Sequence, residues 1–326
     1  HFTIRHLMKQ KSNAFIHVVG LAIGITVCLL IALYINHQVG FDSYHQNAER
    51  IYRVNSAFKE GGINFDLYAT PDKLSQSIRS NITGVQQVAK ARALFKTVIE
   101  VDPQKLFKQD RILVVEPSFL DVFDIRTLKG EARKSLGQPY QALLSQSTAK
   151  KFFGENDPIG KVIKLKSKFL FTVAGVMEDP LANTSLPAEI LLSFTDDPEF
   201  LDNGDTWGFG DFDWVQLQML TFILIEKGAD AANIQAQLTT IAEKNINENT
   251  NLSEKIRASF ELQPLNEIHF DTARFGGGPW VSAVNKSWLL FFVGIGAIVL
   301  ILACVNFLNL STAKAAIRAK EVGIRK

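Results

Sequence analysis

Three stretches of this sequence carry residue types that invite a chemical reading. GENDPIGK, over Gly154–Lys161, sets two glycines and a lysine in the order of a phosphate-binding loop, where backbone N–H groups cradle phosphates and the lysine reaches the terminal ones. The spacing argues against it. Five residues separate the glycines where the motif has four, Val162 follows the lysine in place of Ser or Thr, and a strand is expected where a helix should begin. The acidic, aromatic run Asp202–Trp214 (DNGDTWGFGDFDW) offers oxygen ligands, yet it lacks the alternating positions and closing glutamate of a calcium loop and reads as a solvated, turn-rich loop. His37 and His45 flank Asp42, eight residues apart, which is not the spacing of two ligands on one helical turn, so a surface role is expected for them.

Nothing else looks catalytic. There is no Gly-x-Ser-x-Gly, the six histidines are scattered, and the sequons at Asn81, Asn183 and Asn251 occur at chance frequency. The expectation is a chain with no enzymatic chemistry, metal or cofactor of its own. A balance of 35 Lys+Arg against 33 Asp+Glu over 326 residues gives no reason to expect nucleic acid.

The elements that must position whatever does act are two long apolar runs. Ala14–Ile35 and Trp288–Leu310 contain no charged side chain; as helices they reach about 33–35 Å, enough to cross a hydrocarbon core of about 30 Å. Arg5, Lys9 and Lys11 precede the first, and Lys314, Arg318, Lys320, Arg325 and Lys326 follow the second against the lone Glu321. Basic flanks face the cytoplasm, so both termini are expected inside and residues 36–286 outside. Tyr34, Trp280 and Trp288 fall near the outer boundaries, where amphipathic rings are favoured. The first run exceeds a signal-peptide core and no A-x-A pattern follows it, so it reads as a retained anchor. Cys28 and Cys304 both fall within the spans, so no disulfide framework is expected outside.

The pattern predicts a cytoplasmic amphipathic helix over 1–13, spans over 14–35 and 287–312, an outer domain over 36–286 and a cytoplasmic segment over 313–326. Within the outer domain, Ile51–Phe58 and 86–93 read as strands around a helix over Pro71–Asn81 with Thr70 as its N-cap. The same order recurs at Leu220–Glu226, Asp230–Asn247 and Ala258–Leu262. Two β-α-β units so separated predict a split ferredoxin-like lobe, about 45–109 and 201–265, interrupted by a β-rich lobe over about 110–200. That insert is expected to hold strands at Arg111–Val115, Gln141–Leu144, Val162–Leu165 and Phe169–Val176 and a helix at Gln146–Phe153 capped by Gly154. Gly276, Gly277, Gly278 and Pro279 suggest a flexible joint back to the membrane. The fold class expected is a membrane protein with an α+β extracytoplasmic domain between two transmembrane helices.

Gly20 and Gly24 form a small-xxx-small pair, and Gly294 and Gly296 offer a similar surface, so helix packing is expected there. Asn306 and Asn309 lie deep in the second span, where an amide is expected to bond a neighbouring helix or face a polar gap. Beyond it the helix should continue for a while, with Glu321 and Arg325 spaced i, i+4 and Gly323 interrupting or breaking it.

The tail AIRAKEVGIRK, preceded by CVNFLNLSTA, resembles the cytoplasmic coupling segment of the MacB/FtsX family of ABC transporter permeases. GLAIG at 20–24, AKKFFGENDPIGKVIKL at 149–165 with FTVAGVMED at 171–179, and LQPLNEIHF at 262–270 are similar to further family phrases in the same order. The resemblance implies a permease that does not hydrolyse ATP but binds a separate cytoplasmic ABC ATPase through Arg318, Lys320, Glu321, Val322, Gly323, Ile324, Arg325 and Lys326. It implies further that movement passes through the spans to a two-lobed periplasmic core, in a homodimer or internal pseudo-dimer of the bacterial inner membrane. Export or extraction of a substrate, or control of a partner, follows as the expected task, with a periplasmic adaptor or outer-membrane protein among the partners implied. Family permeases carry four spans per repeat, so a chain with two, opening on His1, is expected to be a fragment of a longer permease of the Bacteroidetes type. The rival expectation is a two-span sensor with a ligand-binding outer domain.

Overall fold

The first apolar stretch belongs to one uninterrupted helix, α1, running from Phe2 to Val39 in the structure, a computed structural model. It describes residues 2–60, 63–195, 197–201, 207–208, 214, 216–248, 256–272 and 283–324. Residues 2–13 are therefore the opening of α1 rather than a separate helix. The chain divides into two units: residues 1–39 with 285–326, and residues 40–284.

The second unit contains, in order, β1 (Ile51–Glu60), β2 (Ile63–Leu67), β3 (Thr70–Pro71), α2 (Asp72–Asn81), β4 (Val85–Leu94), β5 (Thr97–Asp102), β6 (Lys105–Gln109) and β7 (Ile112–Val115). There follow α3 (Phe119–Val122), β8 (Thr127–Gly130), α4 (Ala132–Leu136), β9 (Gln141–Ser145), α5 (Gln146–Phe153), β10 (Val162–Leu165) and β11 (Phe169–Met177). The remainder are β12 (Ile190–Ser193), α6 (Pro198–Leu201), β13 (Trp207–Gly208), β14 (Gln216–Ile225), α7 (Ala231–Ala242) and β15 (Ile256–Pro264).

One mixed sheet runs through both expected lobes in the order β15-β1-β14-β4-β7-β12-β9-β11-β10-β5-β6. Its first four strands pair antiparallel throughout, with Val54 opposite Thr221 and Leu262, and Leu220 opposite Ala91. The sheet passes from one lobe to the other where Ala91–Leu94 of β4 meets Ile112–Val115 of β7. β5 and β6 pair with each other and onto β10, so residues 97–109 join the inserted strands and not the first lobe to which sequence assigns them.

Side-chain alternation explains how one sheet serves three cores. Leu113 and Val115 of β7 enter one apolar cluster while Ile112 and Val114 enter another on the opposite face. Along β14, Leu220, Phe222 and Leu224 face the first cluster, while Ile223 and Ile225 face a third beneath α2 and α7. Strands buried on both faces read as continuous apolar runs, which is why ILVV and ILLS show no alternation. At about 25 cal/mol per Å² of apolar area removed from water, these double-sided strands supply much of the folding drive.

Local differences have local causes. Thr70 does not cap α2. Its hydroxyl donates to the Met219 carbonyl at 3.1 Å and meets Thr221 Oγ1 at 2.7 Å, so it is a strand residue, and the N-cap position falls to Pro71. Ser145 caps α5 by accepting from the Thr148 N–H. GENDPIGK is turn structure: Gly154 and Gly160 have φ of +65° and +75°, and Gly160 N–H donates to the Val173 carbonyl at 2.8 Å. It feeds a hairpin, which removes the phosphate-loop reading on geometry as well as spacing.

At the β15 end, where no further strand pairs among the described residues, side chains meet the strand's backbone. Gln235 of α7 donates to the Phe260 carbonyl and accepts from the Leu262 N–H, both at 2.7 Å. Asn247, in a π-helical turn after α7, accepts from the Ala258 N–H at 2.8 Å and donates to its carbonyl at 3.0 Å.

In the first unit the second apolar stretch lies within α8 (Lys286–Ile324), which packs against α1. Val18–Val39 and Lys286–Asn309 are long and apolar enough to cross a membrane, and only 6% and 11% of their most apolar windows are buried within the protein. Helices that expose apolar side chains over most of their circumference need lipid around them.

Candidate functional site

The site residues expected from sequence fall into two groups, both in the helical unit. Those expected to pack do so unequally. An idealised Cβ on Gly24 would lie 2.9 Å from Ala303 Cβ, and one on Gly20 would lie 3.2 Å from Asn306 Nδ2, whereas at Gly296 the nearest atom, of Ile31, is 3.7 Å away. Gly294 has nothing within 4 Å. The helices run antiparallel, with Cys28 Sγ donating to the Gly296 carbonyl at 3.4 Å and the Tyr34 ring edge-on to Phe292 at 5.4 Å. Asn306 is half-buried at this seam while Asn309 is exposed. Glycines at the contact let the backbones approach, and dispersion does the rest.

The coupling residues Arg318, Lys320, Glu321, Val322, Gly323 and Ile324 all lie on the last turns of α8, which passes through Gly323 and ends at Ile324. The glycine thus neither interrupts nor breaks the helix before its final residue. Arg325 and Lys326 lie outside the described residues, as do Trp280, Asn251 and the Gly276–Pro279 joint.

Sequence reasoning missed a dense polar network that gathers where the outer unit begins. Asp42 is 1% exposed and sits at φ +56°, a conformation that Asp tolerates better than most residues. Its Oδ1 accepts from the Thr184 hydroxyl at 2.9 Å and the Ser185 N–H at 2.8 Å. Its own N–H donates to the Asn183 carbonyl, and Asn183 Nδ2 donates to the Gly40 carbonyl, both at 2.9 Å. Tyr44 donates from its hydroxyl to Thr184 at 3.1 Å. Asp124 N–H donates to His45 Nδ1 at 3.1 Å, while Asp124 Oδ2 accepts from the Gln46 N–H at 2.7 Å. Residues 40–46 are in this way knotted to a loop some 140 positions downstream. His45 is 6% exposed, so the surface role expected for it is corrected: its ring lies against Tyr44 and edge-on to Phe123.

Burial sets the electrostatics. It pushes the Asp42 carboxyl above the usual carboxylate range, although hydrogen bonds from Ser185 and Thr184 and the charge of His45 work against that. It lowers His45 below its ordinary value against the opposing pull of Asp42 and Asp124. Tyr44 rises to about 12, first through burial.

A second polar network lies where the outer unit ends. Buried Arg53 on β1 donates from Nη2 to Gln263 Oε1 at 2.7 Å and to Asp271 Oδ2 at 3.2 Å. Gln263 Nε2 donates to the same Asp271 oxygen at 2.9 Å, and Asn55 donates to Gln263 Oε1 at 2.9 Å. Nearby, the Phe41 and His269 rings stack with centroids 3.5 Å apart, and the Val284 N–H donates to the His269 carbonyl. Among the described residues no group of three or more His, Cys, Asp or Glu side chains is placed to hold a metal ion. The arrangement fastens chain ends; it does not offer a reacting centre.

Comparison with known proteins gives a family match over residues 14–241, to the MacB-like periplasmic core domain. No curated protein matches the chain. Among solved structures, a domain assigned to a permease protein from Porphyromonas gingivalis is similar with TM-score 0.56 at 19% identity, over 68% of this chain and 91% of that one. The extracellular domain of the noncanonic ABC-type transporter YknZ from Gram-positive bacteria gives TM-score 0.42 at 14% identity, over 64% and 98% of the two chains. The periplasmic region of MacB from Actinobacillus actinomycetemcomitans gives 0.43 at 13%, over 66% and 90%. The Porphyromonas likeness is one of fold.

Proposed function

The chain belongs to the MacB-like periplasmic core domain family, and from that premise we propose that it is the permease part of a MacB/FtsX-type ABC transporter, a mechanical element with no catalysis of its own. A cytoplasmic ATPase closes on ATP, the tail of α8 is moved, and α1 and α8 carry the movement to an outer unit that handles a substrate or a partner. The two termini are then cytoplasmic and residues 40–284 periplasmic in a bacterial inner membrane. The basic flanks support that orientation.

The observation that carries the reading is the family match across the first span and most of the outer unit. The fastening of both ends of the outer unit into buried hydrogen-bonded networks agrees with it, since a stroke delivered to loose ends would be dissipated. The antiparallel order β15-β1-β14-β4, with α2 and α7 as crossovers, supports reading the first lobe as ferredoxin-like. On this reading two copies or two repeats work as a pair, and a periplasmic adaptor or outer-membrane partner meets the outer lobes.

Arg318–Ile324, continuing to Arg325 and Lys326, form the ATPase-docking helix. Gly323→Pro removes an N–H from its last turn and clashes with the preceding turn, and Glu321→Lys reverses the one acid in a basic segment. Either change in the native protein is expected to abolish co-purification of the ATPase from detergent-solubilised membranes while insertion stays normal. Undiminished co-purification with both variants would falsify the docking assignment.

A further inference from the structure

The outer unit holds a cavity of about 160 Å³ next to the Asp42 knot. Its floor is apolar, made by Phe119, Phe123, Met177, Leu186 and Ala188. Folded interiors leave few voids larger than a water molecule, and an apolar cavity of about 150 Å³ is enough to admit a benzene-sized ligand. Leu181, half exposed, and the exposed Arg126–Glu178 ion pair at 2.9 Å stand at its mouth. Tyr44, His45 and Thr184 form its polar wall.

His45 supplies an independent indication of what the cavity takes. Its Nδ1 accepts from the Asp124 N–H, so the neutral ring carries its proton on Nε2. Among the described residues nothing accepts from that nitrogen, although the side chain is almost wholly enclosed. Nε2 is not one of the fully buried polar atoms that lack a partner, so it keeps accessible surface and is free to donate to an occupant. The neighbouring Thr184 hydroxyl is already engaged with Asp42 and Tyr44. The carboxylates of Asp42 and Asp124 both act on His45 and disfavour an anion beside it, and the phenylalanine floor offers a second charge no solvation.

We propose that this cavity binds a small uncharged ligand, or the uncharged end of a larger one, with an apolar body on the Phe119–Met177 floor and one carbonyl or ether oxygen accepting from His45 Nε2. Tyr44, His45 and Thr184 belong to the cavity wall and to the knot at once, so an occupant braces the segment that follows α1.

The test uses the full chain in lipid nanodiscs with ¹³C-methyl methionine, reading Met177 in the cavity wall and Met219 outside it. Cyclohexanone and methylcyclohexane serve as probes of similar size, with and without an acceptor oxygen. The expected result is a saturable shift of the Met177 methyl resonance by both, with cyclohexanone binding about three- to tenfold more tightly, the worth of one hydrogen bond. Met219 is expected not to respond, and Ala188→Leu, which fills the floor, is expected to remove the Met177 response. The wild-type probe pair needs no substitution and so does not depend on any variant folding. No saturable Met177 shift with either probe overturns the site, a response that survives in Ala188→Leu overturns its location, and equal affinities overturn the role given to His45.

Discussion

The two polar networks that bracket the outer unit solve the same problem with opposite electrostatics. At its beginning, Asp42 is buried among hydroxyls and backbone N–H groups, with His45, held below its ordinary value by burial, beside it. At its end, Asp271 is buried against a guanidinium, with Gln263 bonded to both. The first fastening depends on hydrogen bonds from hydroxyl and backbone groups to Asp42; the second is a buried ion pair of Arg53 with Asp271. A charge taken out of water without a charged partner shifts its own ionisation, while one with a good partner keeps it. The entry fastening is therefore the one whose titratable groups, Asp42 and His45, are shifted by burial.

The largest effect expected lies at the exit. Arg53→Met removes the guanidinium paired with buried Asp271 and should cost about 3–5 kcal/mol of unfolding free energy, with Asp271→Leu in the same chain restoring much of the loss. Denaturant midpoints followed by tryptophan fluorescence measure both; a loss under about 1 kcal/mol for the single variant would erase the contrast. At the entry, Thr184→Val removes a neutral donor to Asp42 and an acceptor from Tyr44, and a smaller cost of about 1–2 kcal/mol is expected by the same measurement.

The smallest effect sharpens the contrast most. His45 has its folded value lowered, so below 6.5 the unfolded chain binds more protons and acidification weakens the fold. Asp42 has its folded value raised, so above 3.8 the native chain binds more protons and acidification strengthens it. The two oppose each other between those limits. His45→Phe should therefore leave the Asp42 contribution alone, with stability gained as pH falls toward 3.8, and Asp42→Asn the His45 contribution alone, with stability lost as pH falls below 6.5. Identical pH slopes in wild type and both entry variants would show that the knot does not titrate.

How much of this was legible in sequence depended on distance along the chain. The spans announced themselves by composition, and α5, β10 and β11 by cap, turn and apolar run, all signals confined to a dozen residues. β12 did not, because ILLS is buried on both faces and a short apolar run has no period to read. α3 and α4, at four and five residues, are too short for a 3.6-residue rhythm to show. The knot was invisible for another reason. Asp42 and His45 just beyond an apolar span look like any solvated flank, and the partners that bury them, Asn183 to Ser185, present only a chance sequon. Only the αL tolerance of Asp42 within GFDS hinted at a turn that needed something to hold it.

Gln235 and Asn247 carry a consequence for the company the protein keeps. A sheet that simply stopped at β15 would offer a row of open N–H and C=O groups on which any extended polypeptide could add itself, the first step toward polymer or amyloid. By spending two amide side chains on the Phe260, Leu262 and Ala258 backbone, the chain writes a full stop at that end. Copies crowded side by side can then touch through that border without fusing across it.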